Sequence, residues 1–183
     1  ETWGVENEFS PVQDDVVQEV LVTLKKLTSL CTDARTNEPV RETQNLLRAL
    51  KVSDVIIKAL VIPIPEGPPG HLHEIKKLCN QFFKAFVRDN KKNQARAHRF
   101  MSIFLSNMKN LLGAAPAITA IFSHNPSMCQ KVSADLIDAF VSTIRLKSPA
   151  KSIQFLMFLD GVIDTLISMA GQTLKDKQLM LLK

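Results

Sequence analysis

His71-x-His73, with Cys79 two turns later, brings together residue types that bind zinc. Holding one ion takes three or four donors at paired spacings such as CxxC or HExxH, and neither occurs, so both histidines read as solvated side chains at a helix start. His98 and His124 stand by themselves, with no serine, cysteine or carboxylate spaced to build a nucleophile and base. A phosphate loop is missing too: Gly67 and Gly70 are separated by two prolines, which offer no N–H to an anion. Asp160 and Asp164 could form a carboxylate pair, yet at i,i+4 they share a helix face, where the ordinary partner is a Lys or Arg of a neighbouring helix. No catalytic residue, metal or cofactor is expected, and the chain reads as non-enzymatic.

What remains is charge. Arg88, Lys91, Lys92, Arg96 and Arg99 form a basic run with Asp89 the only acid among them. By default such a run is a solvated helix face; it can also dock an acidic protein surface or hold an anion. Nucleic-acid recognition adds exposed aromatics or a reading helix, whereas Phe82, Phe83, Phe86, Phe100 and Phe104 are spaced for a core, so no nucleic-acid partner is expected. The formal charge of +5 conceals an asymmetry: residues 1–19 carry six acids and no base, leaving 23 bases against 12 acids in the rest.

Helices must carry these residues. Six glycines, nine prolines and no tyrosine leave little for an all-β fold. Ser10-Pro11-Val12-Gln13 has capping-box form and opens a helix over 11–31, with Val16, Val20, Leu24 and Leu27 at helical spacing. Pro39 opens a short second helix with Val40, Leu46, Leu47 and Leu50 as apolar positions, Ser53 caps a third, and Pro63 stops it. Residues 63–70, PIPEGPPG, form a flexible loop. Helices are then expected over 72–88, with Ile75, Leu78, Phe82, Phe83 and Phe86 inward, and over 91–112, with Ala97, Met101, Phe104 and Met108 on one stripe. A short helix around Ile118, a new start at Asn125-Pro126, a helix capped by Ser133, an apolar helix from Ser148-Pro149 to about Gly171 and another from Leu174 follow. About eight helices without a strand-period segment describe an all-α, armadillo- or HEAT-like solenoid stack in one domain over 1–183.

Cys31, Cys79 and Cys129 are odd in number and far apart, which suits buried reduced thiols better than a disulfide framework. The chain opens on Glu1 rather than Met and closes inside a helical pattern, so it is expected to be a segment of a longer protein. Residues 152–171 carry only Asp160 and Asp164 as charges, but two carboxylates on one face argue for a buried amphipathic helix over a membrane span.

The segments VVQEVLVTLKKLTSLC (16–31), QNLLRALKVSDVIIKALVIP (44–63), NKKNQARAHRFMSIFL (90–105), IFSHN (121–125) and FLMFLDGVI (155–163) resemble the helical homology domain shared by inositol trisphosphate and ryanodine receptors. The resemblance implies a cytosolic element of a large, homotetrameric calcium-release channel of the endoplasmic reticulum, whose partners are the channel's other domains and subunits. QNLLRAL, NQARAH and IFSHN look more like the central copy of the inositol trisphosphate receptor, an implied transmission element between ligand-binding region and pore; a ryanodine receptor domain is the runner-up. The ligand-binding copy holds inositol phosphate through R-x-x-x-K-x-x-R and a later Y-R-K. Here those patterns read Arg41, Asn45, Arg48 and Asn90, Lys91, Lys92, and the two asparagines remove two ligand groups. An inositol phosphate or polyanion module, and a free-standing armadillo adaptor, stay as alternatives. The candidate docking residues are Arg41, Arg48, Arg88, Lys91, Lys92, Arg96 and Arg99.

Overall fold

The computed structural model describes residues 11–64, 70–108, 112–146 and 149–181. Among them are ten helices and no strand: α1 (Pro11–Leu30), α2 (Arg41–Ala49), α3 (Val52–Val61), α4 (His71–Val87), α5 (Lys91–His98), α6 (Met101–Met108), α7 (Ala114–Phe122), α8 (Pro126–Cys129), α9 (Ala134–Leu146) and α10 (Pro149–Leu181). The fold class expected from the sequence is the one found, an all-α, solenoid-like stack.

α4 is the axis. Leu78, Phe82, Phe83 and Phe86 are buried, and α4 packs against α1, α3, α5 and α7. Phe82 stacks on Phe86 at 5.3 Å, while Phe83 meets Phe104 of α6 edge-on at 5.1 Å. α7 is apolar nearly all round, as a helix enclosed on both sides must be, and it joins this layer to the last one. There Phe158 of α10 stacks on Phe140 of α9 at 4.1 Å and meets Phe122 of α7 edge-on at 5.6 Å. Among the described residues eight fully buried phenylalanines thus run through one continuous core.

Several expected boundaries move. Pro39 does not open α2: Val40 donates its N–H to Cys31 O at 2.9 Å, Thr32 and Pro39 bridge, and the helix begins at Arg41. Within α2 only Leu47 of the expected apolar positions is buried; Leu46 and Leu50 face solvent. Ser53 is no cap, because α3 starts at Val52 after a left-handed Lys51 and Ser53 is buried within it. The single helix expected over 91–112 is two, since Phe100 N–H bonds back only three residues to Ala97 O and breaks the ladder. The reverse holds at Gly171, where α10 runs on without interruption. Ser133 does cap α9, accepting from Leu136 N–H at 3.3 Å. Ser10 and positions 65–69 of the expected loop lie outside the described residues.

Candidate docking face

A helix leaves its last carbonyls without intrahelical donors, and a buried carbonyl left unpaired costs about 1–3 kcal/mol. In this stack helix ends are buried, and amide side chains meet them. Gln44 of α2 donates to Ala85 O at 2.8 Å and Arg88 O at 3.0 Å, at the end of α4. Asn93 of α5 donates to Phe86 O at 2.8 Å and Gln44 O at 3.2 Å. Gln94, the next residue, donates to Ala120 O at 3.0 Å and Ser123 O at 2.9 Å, closing α7, and accepts from Asn125 at 2.8 Å. Asn90 is the N-cap of α5, accepting from Asn93 N–H, and it also donates to Gln44 Oε1 and Asn45 Oδ1, each at 3.1 Å. One short helix therefore clasps α2, α4 and α7.

The seven basic candidates divide around this clasp. Arg48 is half-buried and turns inward, donating to Asn45 Oδ1 at 2.9 Å and Asn93 Oδ1 at 2.6 Å. Arg96 pairs with Asp54 of α3 and donates to Ser53 Oγ at 3.1 Å. Arg88 donates to Asn37 O at 2.7 Å and lies 3.9 Å from Asp89. Arg41, Lys91, Lys92 and Arg99 are exposed. The Asn45–Asn90 bond joins α2, one turn on from Arg41, to the N-cap that precedes Lys91 and Lys92. Two lysines in the first turn of a helix act against its dipole, so local stability does not call for them.

His124 does not stand alone. Its Nδ1 lies 2.7 Å from Asp89 Oδ1, and both residues are left-handed, just past the ends of α7 and α4. Beside them Lys84, Arg88, Thr119 and Met157 help line an open cleft of about 360 Å³. His98 packs edge-on against Phe122, and burial lowers its pKa. The three thiols are free and buried, and burial pushes Cys31 and Cys79 up to about 12. Lys76 is buried, donates to Leu60 O at 2.8 Å and Asn107 Oδ1 at 3.1 Å, and is held below the ordinary lysine value by desolvation. No group of three or more potential metal ligands, and no helix long and apolar enough to cross a membrane, occurs among the described residues.

The arrangement can bind by surface and charge, and its parts are a family's parts: the RIH domain matches residues 19–163. The chain belongs to the RIH-domain family of inositol trisphosphate and ryanodine receptors. Among its relatives is the inositol 1,4,5-trisphosphate receptor of Caenorhabditis elegans, 25% identical over 130 residues, or 68% of this chain. The match covers 4% of that receptor's length.

In this RIH domain the recognisable segments supply the clasp: Gln44 and Asn45 from QNLLRAL, Asn93 and Gln94 from NQARAH, Ser123 and Asn125 from IFSHN. Sequence reasoning gave these amides no part in the packing. A signal was there, since Asn90, Asn93, Gln94 and Ala97 stand at i, i+3, i+4 and i+7, the buried stripe of a helix written mostly in amides.

Proposed function

We propose that this RIH domain is a non-catalytic scaffold and relay in an intracellular calcium-release channel of the inositol trisphosphate receptor type, transmitting displacement by protein–protein packing. On this reading it works on the cytosolic face of the endoplasmic reticulum membrane, within a homotetramer and against the parent's other domains. The observation that carries it is the amide clasp, because helices joined end to end by buried hydrogen bonds shift together as a body. The exposed cations Arg41, Lys91, Lys92 and Arg99 are the docking residues.

Inositol phosphate recognition is the weaker reading. Asn45 and Asn90 bond to each other where that pattern has lysine and tyrosine, and one Arg48 nitrogen already serves two side-chain oxygens. Isothermal titration of the chain with inositol trisphosphate is expected to give a Kd no tighter than about millimolar, near −4 kcal/mol. Micromolar binding lost in Arg48→Ala with Lys92→Ala would assign the domain to ligand recognition instead. In the parent channel, Gln94→Leu should weaken ligand-evoked calcium release while leaving ligand affinity unchanged; unchanged release would remove the relay.

A further inference from the structure

α1 and α3 both pack on α4 without closing over it, and the gap between them is an apolar groove of about 460 Å³. Its walls are Val16 and Val20 from α1 on one side and, on the other, Leu50 just past the end of α2 and Val55 in the first turn of α3; Ile75 and Cys79 of α4 form its floor. The four wall residues are 57%, 39%, 64% and 67% exposed, although Val16 and Val20 fall on the register that reads as core. From Val16 to Leu27 the α1 wall runs about 17 Å, room for three turns of a helix.

Charge identifies the occupant. Among the described residues Glu19 is the one charged residue of the groove's lining, and Asp15 precedes it by one turn; both are exposed and neither makes an ion pair there. We infer that the groove receives an amphipathic helix of a partner protein, with apolar residues at i, i+3, i+4 and i+7 buried between α1 and α3 and with Lys or Arg, four apart, facing Asp15 and Glu19. This mode needs two apolar walls, an apolar floor and a charged edge to set orientation, and all are present. A second copy is disfavoured: the outward stripe of α10, with Ile163 and Ile167, also carries Asp160 and Asp164, like in sign to the groove edge. The receptor role goes beyond the relay reading and would hold for an adaptor equally.

The test uses the 183-residue chain and two fluorescein-labelled model helices of roughly 18 residues, one built from Leu and Lys, the other from Leu and Glu. Because the chain is net positive, unspecific attraction favours the Leu/Glu helix. Fluorescence anisotropy at physiological ionic strength should nevertheless show the Leu/Lys helix binding at least about tenfold tighter, close to 1.4 kcal/mol. Val20→Asp with Val55→Asp should abolish that binding, and Asp15→Lys with Glu19→Lys should reverse the preference; as all four positions are exposed, unchanged circular dichroism and melting will show the variants folded. Absence of saturable Leu/Lys binding, or binding indifferent to Val20→Asp with Val55→Asp, would overturn the proposal. So would binding that emerges only after removal of residues 1–10, which would make that segment the occupant.

Discussion

Asn90 Nδ2 donates to Asn45 Oδ1 at 3.1 Å, joining the N-cap of α5 to the exposed edge of α2. The same Nδ2 reaches Gln44, while Asn90 Oδ1 holds the Asn93 N–H, so one side chain caps a helix and ties two helices together. Asp caps as well as Asn but cannot donate. Asn90→Asp should therefore destabilise the domain by about 1–3 kcal/mol in urea denaturation, because a carboxylate replaces the donor facing two oxygens. Stability equal to the wild type would mean that only the cap matters.

Gln94→Leu fills the same space and leaves Ala120 O and Ser123 O without their side-chain donor. About 2 kcal/mol should be lost, with the end of α7 opening first. Hydrogen exchange over residues 117–130 measures this; uniform loss of protection across all helices would contradict it.

Phe86 is fully buried, stacked on Phe82 and edge-on to Phe83. Phe86→Ala should cost about 3–5 kcal/mol, since a fully buried ring packed on two others leaves a cavity that its neighbours fill only in part. A cost below about 1 kcal/mol in chemical denaturation would mean that the α4 axis does not carry the core.

Lys76 is buried with two neutral acceptors, and desolvation holds its pKa below that of the unfolded chain. Between the folded value and about 10.4 the unfolded state binds more protons, so this group adds stability as pH rises through that window. Lys76→Met removes the titration and keeps the aliphatic stem. Raising the pH from about 8 to about 10 should move the stability difference in favour of the wild type. Cys79 is pushed up to about 12 by burial although the Lys76 ammonium pulls it down, so losing that ammonium only raises it further; the folded thiol stays protonated below about pH 10 in both proteins and drops out of the comparison. A difference that does not change with pH would sink the assignment.

Periodicity and punctuation made much of the architecture legible before any coordinate. Prolines at 11, 63, 126 and 149 bound helices as expected, and the 75–86 stripe gave the inward face of α4, because both are local: fixed φ, a missing N–H and a 3.6-residue repeat act within a few residues. The break at Phe100 was not legible, since no Gly or Pro marks it and the apolar pattern runs through. Nor was the continuity of α10 past Gly171, where a helix former's absence weakens a helix without ending it.

Composition and pattern alone determined an all-α stack with a phenylalanine core, a basic surface and no sequence motif for catalysis. Only the tertiary structure decided which polar residues face inward. Gln44 and Gln94 are buried because helix ends 26 to 44 positions away present carbonyls to them, and Asn93 because it bridges Phe86 O at the end of α4 and Gln44 O, 49 positions away; a buried carbonyl must find a donor. By the same reasoning Arg48, Arg88 and Arg96 lie half-buried against partners 42 to 51 residues distant, while Arg41, Lys91, Lys92 and Arg99 stay exposed. Val16 and Val20 repeat like core residues, yet α1 and α3 stop short of each other over α4, and that spacing, which no local pattern encodes, turns them into the wall of a groove.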